Sequence, residues 1–195
     1  MAKRILIGGL LGGIVVFIWG AIGHVALPLG EMGISAIPDE ESVTNALRSS
    51  IKEKGLYFFP GYDKSKPLSE SEQKAWEAKL NAGPSGIMVV TPSGAEAMSP
   101  KQLGLELASN VVAALLAAIL LSMTNVGFVR RVLFVTLLGA FGWMSISVSY
   151  WIWYGFPTDF TVAALVMEVV GWFFAGLVLA AIVRPSTAKP AHVNA

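Results

Sequence analysis

The chain has 195 residues, of which 54% are hydrophobic and only 14% charged, and its net charge is +1; a soluble domain carries about 25% charged residues. That balance offers no concentrated basic face, so nucleic acid is not expected as a partner. No cysteine is present, which excludes disulfides, thiolate catalysis and Cys-ligated zinc or iron–sulfur centres; His24 and His192 alone make a paired-histidine metal or haem site improbable, and no cofactor is expected.

The first apolar run, from about Ile5 to Leu27, contains no Asp, Glu, Lys or Arg. About 20 apolar residues cross a bilayer core. Lys3 and Arg4 resemble the start of a signal peptide, but the run exceeds the roughly 7–15 residues of its apolar part, so a retained anchor is the reading adopted. Within it, Gly8/Gly12 and Gly9/Gly13 form small-xxx-small pairs, which let another backbone approach closely where packing rather than water drives association. A contact inside a helix bundle is expected, with a homodimer seam as the sharper alternative. Ala113, Ala114, Ala117 and Ala118 could supply a matching flat face.

Most of the charge falls between Asp39 and Lys101, nearly all of it in segment 29–100. Pro38-Asp39-Glu40-Glu41 opens a helix with acid in its first turn, Val43, Ala46, Leu47 and Ile51 mark its apolar face, and Gly55 is expected to end it. Leu56-Tyr57-Phe58-Phe59 reads as a short buried strand stopped by Pro60-Gly61. The loop Pro60 to Pro67 is the most mobile-looking stretch. Ser69-Glu70-Ser71-Glu72 is a capping box, and Ala75, Trp76 and Leu80 continue on one helical face. Gly86 to Thr91 is a second strand. The order helix, strand, helix, strand suggests two strands joined by a crossover helix, as in a βαβ unit. So small a cap buries little core of its own and should lean on the membrane bundle or a partner.

Three further spans follow. They run from about Leu103 to Met123, from Val132 to Trp153 and from Thr161 to Val183, with Pro100 at the first helical position of the earliest. The aromatic residues Tyr150, Trp151, Trp153, Tyr154, Phe156 and Phe160 crowd the link between the last two spans and read as an interfacial belt. Lys3 and Arg4, Arg130 and Arg131, and Arg184 and Lys189 all fall on one side of the four spans. By the positive-inside rule both termini are cytoplasmic and 29–100 is extracytoplasmic. The expected fold is therefore a membrane all-α, four-transmembrane-helix bundle with a small extracytoplasmic α/β insertion between helices one and two. Its parts are 1–28, the cytoplasmic N-terminus with helix one; 29–100, the cap; 101–184, helices two to four; and 185–195, a disordered cytoplasmic tail. The setting is a cell membrane, a bacterial inner membrane by preference, and membrane lipids are partners.

The polar residues of the spans share a depth. At about 1.5 Å of rise per residue, His24, Glu106, Asn110, Ser145, Ser149, Tyr150 and Glu168 all fall in the outer half. A charged Glu168 in lipid would cost about 2.5 kcal/mol or more. One reading is a polar pocket around Glu168 and His24 that exchanges a proton or binds a headgroup; the other is interhelical hydrogen bonding that fixes the bundle. No Walker A motif, HExxH or GxSxG elbow is present. The first functional expectation is a non-enzymatic accessory or assembly subunit of a larger membrane complex, with a protein partner or a second copy bound through the membrane helices. The alternative is a small transporter or lipid- or small-molecule-binding membrane protein using the Glu168 pocket. A lipid-modifying enzyme with His24 as base has least support, and the residues leave catalysis open.

Overall fold

The computed structural model describes residues 1–184; the stretch 185–195, with its expected disordered tail, Lys189 and His192, lies outside the described residues. In chain order the elements are α1 (Ala2–Ala21), α2 (Glu40–Ser50), β1 (Gly55–Phe59), α3 (Glu70–Ala82), β2 (Gly86–Val90), α4 (Pro100–Ser122), α5 (Phe128–Tyr154) and α6 (Thr158–Ile182). The chain divides into two compact units. One holds Met1–Ile34, Met98–Ile152 and the chain from Phe156; the other holds Ser35–Ala97 with Trp153–Gly155.

The first unit contains the four long apolar helices α1, α4, α5 and α6, each long and apolar enough to cross a membrane. α1 is prolonged by a π-helical turn, Ile22–Ala26. α4 begins on a capping box that the sequence reading did not identify. Ser99 N–H donates to Gln102 Oε1 at 2.7 Å, and Gln102 N–H returns to Ser99 Oγ at 3.3 Å, with Pro100 inside the first turn.

Glycine sets how the helices meet. All four of Gly8, Gly9, Gly12 and Gly13 are buried. A Cβ on Gly9 would lie 2.9 Å from Leu115 Cα, and one on Gly13 only 2.6 Å from the Val111 amide nitrogen. Gly8 and Gly12 face Leu179 instead, and Gly8 also meets Val183. α1 thus wedges between α4 and α6, and the glycines make close contacts within the chain's own bundle. As α1 advances from Gly9 to Gly13 its partner on α4 moves back from Leu115 to Val111, so the two helices are antiparallel. Likewise α6 runs back along α1, from Val183 near Gly8 to Met167 near Gly23, and α5 meets α6 at Val132–Gly176 and Gly139–Trp172. Lys3, Arg4, Arg130, Arg131 and Arg184 consequently stand at one end of the bundle.

The packed core also sits toward that end. Ala117, Ala118 and Leu121 of α4, Val135 of α5, and Leu179 with Val183 at the close of α6 form one buried cluster, joined by Ile5 of α1. Arg131 belongs to this region and is 4% exposed. Its Nη1 donates to Ala180 O at 3.2 Å and its Nη2 to Val183 O. A guanidinium at the last carbonyls of α6 satisfies acceptors that the helix itself cannot, and it suits the negative end of the dipole. In the sequence Arg131 is legible only as a topology marker.

In the second unit β1 and β2 pair antiparallel, with Gly55 opposite Val90, Tyr57 opposite Met88 and Phe59 opposite Gly86. This corrects the βαβ expectation. A parallel pair needs a connection that returns the chain to the end where the first strand began. Here the connection leaves β1 at Phe59 and re-enters the sheet at Gly86, directly opposite, so α3 joins one end of the sheet to itself. The strands are also less buried than expected. Leu56 and Phe58 point outward while Gly55, Tyr57 and Phe59 are half-buried, and no residue from 35 to 97 is fully buried. Gly55 opens β1 rather than ending α2, which stops at Ser50. Lys52 Nζ donates to Arg48 O at 2.8 Å there, serving one of the last-turn carbonyls. α3 carries the expected box, with Ser69 N–H donating to Glu72 Oε2 at 2.9 Å.

Candidate functional site

Away from the packed end, α1, α4 and α6 enclose an open groove of about 580 Å³. Its walls are apolar: Val16, Phe17 and Val25 from α1 and its π turn, Leu103 from α4, and Met167 from α6. Four of the polar residues singled out in the sequence line it, namely His24, Glu106, Asn110 and Glu168. They come from three different helical segments, so the bundle assembles a site that no local stretch contains.

Each polar group is held from its own helix. Asn110 Nδ2 donates to Glu106 Oε1 at 3.2 Å, one turn apart. Trp172 Nε1 donates to Glu168 Oε2 at 3.0 Å, also at i,i+4. His24 Nδ1 lies 2.9 Å from Gly20 O. A carbonyl can only accept, so in this bond Nδ1 is the donor. The π turn matters here, because Leu27 N–H donates to Ile22 O, five residues back, and the wider turn shifts the carbonyl pairing around His24. Gly30 packs on the imidazole, where a Cβ would fall 2.7 Å from His24 Cδ2.

None of these four side chains bonds across the groove among the described residues. The hydrogen bonds that stitch the helices come from other residues. Trp19 Nε1 donates to Met167 O at 2.9 Å, Trp143 Nε1 donates to Thr161 O at 2.8 Å, and Arg131 reaches α6 as described. The reading of Glu168 and its neighbours as interhelical fasteners is therefore not the arrangement found; indoles and a guanidinium do that work.

Ser145, Ser149 and Tyr150 do not line this groove. Ser145 Oγ donates to Phe141 O at 2.5 Å within α5, and Tyr150 stacks on Phe156 with ring centroids 5.4 Å apart. Phe156 in turn meets Phe160 at 5.4 Å, so part of the aromatic belt is a ladder of rings. The serine that shares a cavity with Glu168 is Ser147, in a second groove of about 390 Å³ between α4, α5 and α6. Glu168 and Trp172 line both grooves and form the wall between them.

No Lys or Arg lines either groove, and no group of three or more His, Cys, Asp or Glu suited to a metal ion occurs among the described residues. What the site offers is two carboxyl groups, one amide and one imidazole at the edge of an apolar trough. Such a trough accepts hydrogen bonds and proton or positive charge in an apolar setting. Comparisons with protein-family models, with curated proteins and with solved structures find no match to the chain.

Proposed function

We propose that this chain is a multi-pass membrane protein acting as a non-enzymatic accessory or assembly subunit, and that the α1/α4/α6 groove is where its partner packs. One observation carries the reading: Glu168, Glu106, Asn110 and His24 line one trough, and none of them is consumed by a bond across it. A carboxyl group at such depth is costly in lipid and is normally matched by a donor or a proton. The trough follows α1 from Val16 to Val25, about 15 Å of helix, which suits the side of another helix bringing that donor. The gathering of basic residues at one end supports cytoplasmic termini in a cell membrane and an extracytoplasmic segment 29–100.

A second reading has its own support. The trough lies at the depth of the outer leaflet under that orientation, so a lipid headgroup or small polar molecule could supply the same donor.

One experiment separates the two. A photo-reactive residue placed at Leu103, on the wall of the groove, is activated in intact membranes. The subunit reading predicts a discrete protein-sized adduct that disappears in a Glu168→Leu variant of normal abundance. A lipid-sized adduct with the same dependence selects the second reading. Absence of any Glu168-dependent adduct contradicts both.

A further inference from the structure

Outside the Glu168 groove, the second unit carries a recess of about 590 Å³ that neither reading uses. Its chemistry comes from Tyr62, Lys64, Ser65, Lys66, Gln73 and Trp76. The volume is in the range of small-molecule sites, about 300–1,000 Å³.

The recess is built rather than incidental. Trp76 Nε1 donates to Pro60 O at 2.8 Å, fixing the indole of α3 against the end of β1. Tyr62 meets Trp76 edge to face, with centroids 5.1 Å apart at 73°. Asp63 Oδ1 accepts from Ser65 N–H at 2.9 Å, closing an Asx turn that presents the lysines on either side of Ser65. The loop 60–67 is thus tied at its start and in its middle.

The charge is one-sided. Lys64 and Lys66 line the recess and no carboxylate does. Lys66 lies 3.7 Å from Glu72, which offsets part of its charge, whereas Lys64 makes no ion pair among the described residues. The lining therefore combines an aromatic surface, two cations, a hydroxyl and an amide.

We propose that this recess binds an acidic saccharide. A sugar ring has an apolar face for the indole, hydroxyls on its rim for Ser65 and Gln73, and, when it carries a carboxylate, a charge for Lys64 and Lys66. A bare anion would use the lysines and leave the aromatic surface idle. A nucleotide base favours offset parallel stacking, and the edge-on Tyr62 gives no second parallel ring to sandwich it.

The test uses the full chain in nanodiscs, with trigalacturonate as probe and its neutral counterpart, a galactose trimer, as control. Saturation-transfer NMR reports contact with the sugar protons and calorimetry gives the affinity. Trigalacturonate should bind in the millimolar range or tighter, at least tenfold more tightly than the neutral trimer. A Lys64→Gln, Lys66→Gln double variant should weaken it about tenfold, since exposed charges act modestly and together. These lysines are exposed, and unchanged helix content in the variant keeps the comparison valid. No transfer at about 10 mM trigalacturonate, equal binding of the neutral trimer, or an unaffected double variant overturns the proposal. Inorganic phosphate or adenosine monophosphate binding as tightly as trigalacturonate overturns it too, by reassigning the ligand class.

Discussion

Replacing Gly13 with alanine puts a methyl carbon about 2.6 Å from the backbone nitrogen of Val111, where ordinary van der Waals contact begins near 3.4 Å. Backbone cannot rotate aside, and Val111 Cα lies closer still, so α1 and α4 must part by at least the difference, roughly 0.8 Å. A gap of 0.5–1 Å forfeits about a quarter to a half of the attraction of each contact it opens. Overpacking of this kind costs about 1–3 kcal/mol. Alanine regains about 0.5–1 kcal/mol over glycine as a helix residue, leaving a net loss of about 0–2.5 kcal/mol. Gly20 is the internal control. Nothing lies within 4 Å of a Cβ there, so Gly20→Ala should leave stability unchanged or raise it by about 0.5–1 kcal/mol. Gly12→Ala should fall between, because its nearest neighbours are side chains at 3.4 Å. Reversible unfolding in mixed micelles, followed by tryptophan fluorescence, reads all three. Equal stability of Gly13→Ala and Gly20→Ala would refute the reasoning, since only the approach of α4 distinguishes the two sites.

Other outcomes follow from the same geometry. Arg131→Met should lower bundle stability by about 1–3 kcal/mol, since it strands the buried carbonyls of Ala180 and Val183, and Arg131→Lys should recover only part of that in the same unfolding assay. Trp76→Phe should cost about 1 kcal/mol locally and speed amide exchange across 60–66, because the bond to Pro60 O is lost. Acid should loosen the start of α3. Hydrogen bonds from the Ser69 backbone and side chain hold the Glu72 carboxyl below its ordinary range, and those from Ser65 do the same for Asp63. A carboxyl depressed in the folded state contributes stability that is whole above its unfolded pKa and is lost as pH falls through the folded one. Exchange of the amides of residues 65 and 69–72 should therefore quicken as pH drops below the usual carboxylate range, beyond the intrinsic pH effect, and a Glu72→Gln variant should not share the change at 69–72.

The four helices were legible in the sequence because bilayer thickness imposes a length that apolar runs of 20 or more residues meet almost alone. The glycine contacts were legible for a related reason: small residues four apart in such a run have few uses but close approach. The rotational phase of each helix was not. α5 is apolar on every side, so nothing in its sequence says that Ser147 rather than Ser145 or Ser149 turns toward Glu168, although two positions along a helix swing a side chain to the opposite face. Trp172 could have been found, since it stands four residues after Glu168 and an indole N–H is a natural donor to a carboxylate. The antiparallel strand pair was hidden because direction depends on where a connection re-enters the sheet, and the spacing of β1, α3 and β2 fits either course. Arg131 carried a charge signal that concealed its second role at the end of α6.

Absence of cysteine lets the central claim be tested one thiol at a time. Ser93→Cys, in the segment between β2 and α4, and Asn125→Cys, in the link between α4 and α5, are each treated in intact cells with a maleimide that cannot cross membranes. Four membrane crossings with cytoplasmic termini predict that position 93 is modified at once and position 125 only after permeabilisation. Modification of position 125 in sealed cells, or protection of position 93, would contradict the account.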